Sequence, residues 1–170
     1  MHLLTQAVCA LTVATMGVMS LASPAQAGTW RIPAPDPSVN PATHPNEYEN
    51  RVMDKVNEKR VRAGRSRLRV YQSCLDSKSE SWARHLAEIG RLEHRNQRRV
   101  LADCNLHWTG ETVALGSRRS LSPGELVSAW MHSPDHRAIL LTRRANRAGV
   151  GIRFDSRGNL YAVVNLGDPT

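Results

Sequence analysis

The 170-residue sequence is short of most features that announce a chemistry. Aromatic residues make up 5% of it, with a single Phe, and the scattered basic residues are not interleaved with aromatics. That argues against nucleic acid as a partner, which needs stacking platforms along a basic groove. There is no G-x-S-x-G elbow, so a serine hydrolase built on one is excluded. No internal repeat is present, which removes the solenoid and propeller architectures. Cysteine is scarce, at positions 9, 74 and 104, too few for a structural zinc site. Lysine is scarcer than its charge class suggests: Arg outnumbers Lys 20 to 3.

What the chain does have is a surplus of positive charge, +8 at pH 7. A basic exported protein is drawn to anionic surfaces, such as a cell-envelope polymer or acidic lipid heads. Export is the natural reading of the first segment. Residues 3–21, "LLTQAVCALTVATMGVMSL", are largely apolar and uncharged, and Ala25-Gln26-Ala27 has the small-x-small form read by signal peptidase. The competing reading, a membrane anchor, suffers from the shortness of the apolar run. The expected organisation is a signal peptide over 1–27, cleaved after Ala27, a linker over 28–45 with five prolines, and one domain over 46–170. The mature protein is then secreted and has no transmembrane span. Cleavage removes Cys9 and leaves Cys74 and Cys104, an even pair that reads as a disulfide in an oxidising compartment; two unpaired core thiols are the alternative.

Within the domain, Tyr48, Val52, Val56 and the stem of Arg60 recur every four residues, with Met53 beside them, predicting a helix from about Asn46 to a stop at Gly64. "LRV" at 68–70 reads as a short extended lead. A second helix is expected from Gln72 to Ile89, with Leu75, Ser79, Trp82, Ala83, Leu86 and Ala87 as its stripe and Gly90 ending it. Residues 95–120 show no clean period and read as a long loop with one strand at "ETVAL". Ser122, Pro123 and Glu125 form a capping box ahead of Leu126, Val127, Trp130 and Met131. "AGVGIRF" and "LYAVVNL" flank the turn cluster "DSRGN" and predict a hairpin. The pattern is that of an α+β layered domain.

His132 and His136 lie four apart, the spacing of a zinc-binding helix, but no Glu follows His132 and Pro134 forbids a continuous helix. The better parse is two helices, with Ser133 capping the second by its hydroxyl. His136 then needs partners from elsewhere. His94, just past a helix end in "RLEHRN", and Glu111, after a Gly in "WTGETVA", sit where side chains project from the fold. Two imidazoles and a carboxylate suit a divalent cation such as zinc, or a histidine base oriented by a carboxylate. Taken singly, each is also what an ordinary hydrogen-bonded histidine looks like.

The order helix, "LEH", "GET", "AWMHSPDHRAIL", "GVGI" resembles the bacterial branch of the CAP superfamily (cysteine-rich secretory proteins, antigen 5 and pathogenesis-related proteins; the SCP domain) over about residues 46–167. The resemblance implies a three-layer α-β-α sandwich with a cleft lined by a His–Glu–Glu–His tetrad. His94, Glu111 and His136 match three of its positions. Thr112 stands where the family's motif has Asn, and Ser133 where the second Glu is expected, so the tetrad reduces to a triad. The resemblance implies a non-enzymatic binding module whose His94, Glu111 and His136 line a cleft able to take a metal. A protease-like hydrolase and an envelope-associated structural protein are the alternatives.

Overall fold

The structure is a computed structural model that describes residues 45–68, 70–117 and 121–168. The expected signal peptide and all but the end of the linker lie outside the described residues. Among the described residues the elements run, in order, α1 Pro45–Arg62, β1 Val70–Tyr71, α2 Ser73–Ile89, α3 Gln97–Cys104, β2 Thr109–Ser117, α4 Pro123–His132, α5 Pro134–Leu140, β3 Arg147–Phe154 and β4 Asn159–Gly167.

Every residue of β4 from Leu160 to Gly167 is buried. A strand buried on both faces requires helices on both. It sits inside a four-stranded sheet of order β1-β3-β4-β2, antiparallel to β2 and β3, while β1 pairs parallel with β3. The period of two sorts its side chains. Leu160, Ala162, Val164 and Leu166 join the cluster containing Tyr48, Val52, Val56, Leu126, Val127, Trp130 and Leu140, from α1, α4 and α5. Tyr161 and Val163 face the other way, onto Ala83 and Leu86 of α2. The architecture is thus the expected α+β arrangement of three layers, α-β-α. At roughly 1.5–3 kcal/mol per fully buried large apolar side chain, the first cluster is the larger source of stability.

The α2 layer is held more closely. A Cβ on Gly149 would lie 2.2 Å from the backbone of Leu75 and Asp76, and one on Gly151 2.3 Å from that of Ser79. The glycines of "GVG" therefore let the α2 backbone rest directly on β3. Cys74 and Cys104 form the disulfide, with Cα atoms 5.6 Å apart, and tie α3 to the start of α2.

Two expectations are corrected here. Residues 95–120 are not one long loop, because Gln97–Cys104 is a helix capped by the Asn96 side chain, which accepts from the Arg98 N–H. Its buried face is only Val100 and Cys104, one i, i+4 pair, too short for periodicity to register. The strand expected at "ETVAL" runs further in both directions, over Thr109–Ser117. The front helix, the helix ended by Gly90, the capping box and the hairpin are all present.

Arg60 does more than lend its stem to the core. It is 1% exposed, and its guanidinium donates to the carbonyls of Ser66, Leu140, Thr142 and Ala145. A helix C-terminus leaves carbonyls without intrahelical partners. Arg60 satisfies the last carbonyl of α5, at Leu140, and those of Thr142 and Ala145 just after it, and so ties the end of that short helix to α1.

Candidate functional site

β2 is one of the two edge strands of the sheet, and the candidate residues meet along it from three elements. Glu111 lies on β2 itself, His94 on the segment between α2 and α3, and His136 on α5.

The segment carrying His94 is pinned on both sides. Trp82 on α2 donates from Nε1 to the Glu93 carbonyl (3.1 Å), and the Arg95 guanidinium donates to the Lys78 carbonyl (2.8 Å) and to Ser81 Oγ (3.3 Å). His94, between these anchors, has little freedom to leave its place. Its side chain remains 57% exposed, whereas that of Glu111 is 1% exposed. The Nδ1 of His94 is 2.8 Å from Glu111 Oε1, which also accepts the Arg95 backbone N–H at 3.1 Å. With Nδ1 as the donor, the imidazole presents Nε2 outward. Arg95 was not singled out in the sequence. Its only local signal is that it follows His94 in "EHRN".

His136 reaches the same edge because α5 packs closely on β2. A Cβ on Gly110 would meet Ile139 of α5 at 2.9 Å and the Trp108 ring at 2.8 Å. Glycine ahead of Glu111 is therefore what admits the helix. The His94 and His136 ring centroids are 6.4 Å apart, with the planes inclined at 52°.

Burial, first, holds the His136 imidazole below its usual range; His94 pushes the same way and Asp135 opposes both. Burial also pushes the Glu111 carboxyl up, against the His94 and Arg95 hydrogen bonds that favour its ionised form. Its second oxygen, Oε2, is buried without a partner among the described residues, as is Oδ1 of Asn165, its direct cross-strand neighbour. Both are acceptors, so neither can satisfy the other.

As they stand, the two imidazoles are not spaced to share a tetrahedral ion. Two imidazoles sharing a tetrahedral ion at about 2.1 Å bring their centroids to roughly 5 Å, well under the 6.4 Å seen here. Among the described residues no group of three or more His, Cys, Asp or Glu is placed to hold one. His132, the sequence neighbour, stays out: its Nδ1 is 2.7 Å from the Ser128 carbonyl one turn back, and it is exposed. Ser133 is the N-cap of α5 by position, but its hydroxyl makes no cap hydrogen bond, contrary to expectation. Pro134 explains this: it supplies the turn's fixed φ and lacks an N–H, so the helix starts without the hydroxyl's help. Glu125 is occupied by the capping box, accepting the Ser122 N–H at 2.7 Å. Thr112 is wholly buried, and its hydroxyl has no partner among the described residues.

Fold and site together define a class: an α-β-α sandwich with a histidine–carboxylate pair on its edge strand and a second histidine facing it. Residues 53–166 match the family described as CAP, the cysteine-rich secretory protein family, and the chain belongs to it. Among solved structures it is similar to an outer surface protein from Borrelia burgdorferi, at 18% identity and a TM-score of 0.65, covering 73% of this chain and 94% of that one. A cysteine-rich secretory protein from Staphylococcus aureus aligns at 20% identity and a TM-score of 0.56, over 72% of this chain and 38% of that one. The hookworm platelet inhibitor aligns at 16% and 0.53, over 74% and 71%. At such identities the likeness is one of fold. No curated protein matches by sequence.

Proposed function

We propose that the chain is a secreted CAP module that binds, without turning it over, a polar group of an envelope polymer or lipid at the β2 edge. His94, Glu111 and His136 are the binding residues in this reading. The observation that carries it is the exposed His94 imidazole held on a buried carboxylate, with the His136 ring 6.4 Å away. Such a pair offers fixed donors and acceptors at neutral pH, and its positioning is supplied by the fold before any ligand arrives. The surplus charge of +8 supports an anionic polymer or surface as the partner.

The test compares wild type with His94→Ala and His136→Ala in titrations with a soluble anionic wall polymer and, separately, with zinc. Polymer binding that is lost in both variants supports the reading, and equal binding by all three proteins removes it. Zinc uptake by wild type, lost in both variants, would replace it with a metal centre. Hydrolysis of the polymer that disappears in Ser133→Ala would favour the hydrolase alternative.

A further inference from the structure

A cavity of about 310 Å³ lies between α2 and α3, next to the segment that carries His94. Its walls include Lys78 and Trp82 from α2, Asn96 and Arg99 from the start of α3, Asp103 from its end, and Arg95 between the helices. The family tetrad contributes no side chain to it.

Three of these residues are cations and one is an anion. Lys78 of α2 and Asp103 of α3 pair with each other. That leaves Arg95 and Arg99 as the surplus. The Arg95 guanidinium is held by the Lys78 carbonyl and Ser81, and lies 5.1 Å from the Trp82 ring centroid. The Trp82 ring is in turn backed by His85, with centroids 4.5 Å apart. Arg95 is thus a fixed cation on an aromatic wall, and its rotamer is set before any ligand binds. Arg99 is exposed, and its charge acts on Asp103, which is already paired with Lys78. Such a volume exceeds what a bare ion needs and lies at the lower bound of small-ligand pockets. Two neighbouring guanidiniums, each a planar fork of N–H donors, suit the several oxygens of a tetrahedral phosphate.

We infer that the α2–α3 cavity is a binding site for a phosphate-bearing organic group the size of a sugar or glycerol phosphate, with Arg95 and Arg99 taking the phosphate and Trp82 lining the organic part. This site does not depend on the reading of the β2 edge.

The test uses the full chain with its disulfide intact, titrated calorimetrically with glycerol 3-phosphate and with inorganic phosphate at low and at physiological salt. The variants are Arg99→Glu and, as a control of equal charge change in the β3–β4 turn, Arg157→Glu. The expected result is saturable binding of glycerol 3-phosphate that is tighter than that of inorganic phosphate and survives physiological salt. Arg99→Glu weakens it by about tenfold or more while Arg157→Glu leaves it within about twofold. Circular dichroism and thermal melting show whether Arg99→Glu keeps its fold; Lys78→Gln serves as a second pocket variant, expected to shift the affinity in either direction. Vesicles containing phosphatidylglycerol, compared with neutral vesicles, separate a lipid headgroup from a soluble phosphate ester as the source. Absence of saturable binding to wild type, equal weakening in Arg99→Glu and Arg157→Glu, or no response to either pocket variant overturns the inference.

Discussion

Two buried glutamates sit at opposite edges of the sheet, and the same physics acts on both. Glu49 on α1 is 4% exposed and Glu111 on β2 is 3% exposed. Burial is the main reason that each carboxyl is pushed up, that of Glu49 to about 7. Each also accepts a backbone N–H: Glu49 from Ile152 at 3.0 Å, Glu111 from Arg95 at 3.1 Å. Their surroundings divide them. β1 covers β3 only at Arg147 and Ala148, so further along the strand the outward N–H groups of Val150 and Ile152 are taken by Asp76 and Glu49. Glu49 therefore closes a sheet edge that would otherwise offer unpaired donors. Glu111 instead carries an exposed imidazole, with another opposite. A perturbed carboxyl alone does not mark a functional site; what separates Glu111 from Glu49 is the exposed imidazole it carries.

The largest expected effect breaks the covalent support on the Glu111 side. Replacing Cys74 and Cys104 together by serine should lower unfolding free energy by about 3.6 kcal/mol on the chain-entropy view, measured by denaturant titration. A loss below about 1 kcal/mol would mean that packing, not the bridge, holds α3 in place.

Next is the pH response of Glu49. Its folded value, about 7, lies above the ordinary 4.5. The stability associated with its protonated form is thus fully present below about pH 4.5 and lost as pH rises through about 7. Glu49→Gln keeps an acceptor for the Ile152 N–H but cannot ionise. Relative to wild type it should gain stability between pH 5 and pH 8, on the order of 2–3 kcal/mol. Asp76 and Glu80 push Glu49 up and Arg153 pulls it down, so their variants should change the size of this gain. Parallel pH profiles for wild type and Glu49→Gln would contradict the assignment.

Glu111→Gln should do less to stability, about 1 kcal/mol or under, and more to the site. The His94 Nδ1 resonance should move when its carboxylate partner becomes an amide, and Glu49→Gln should leave it in place. A His94 spectrum indifferent to Glu111→Gln would dissolve the distinction between the two glutamates. Smallest of all is His132→Ala, expected within about 0.5 kcal/mol of wild type and without effect on ligand binding.

Much of this was legible in the sequence because it is local. A four-residue period in Tyr48, Val52 and Val56, a cap at Ser122 with Glu125, and alternation around "DSRGN" each specify an element from neighbouring residues alone. The eight-residue α3 escaped because two buried positions cannot define a period, and its anchor is a disulfide partner 30 residues away. The unused Ser133 hydroxyl escaped because position in a helix start does not fix a rotamer.

The candidate site divides in the same way. The sequence by itself determined that Pro134 separates His132 from His136, that Glu125 is spent on a cap, and that glycine precedes Glu111 and recurs in "GVG". Through motif resemblance it also named His94, Glu111 and His136 together. Only the tertiary structure decided that His94 rests on Glu111, that the two imidazoles stand 6.4 Å apart, and that Arg95 gives its backbone N–H to Glu111 while its side chain lines the cavity between α2 and α3. The reason is physical: a capping box or a helix break is settled by atoms within one turn. The separation of two rings on different layers is set by how closely α2 and α5 approach the sheet, and that depends on contacts made by residues far apart in the chain.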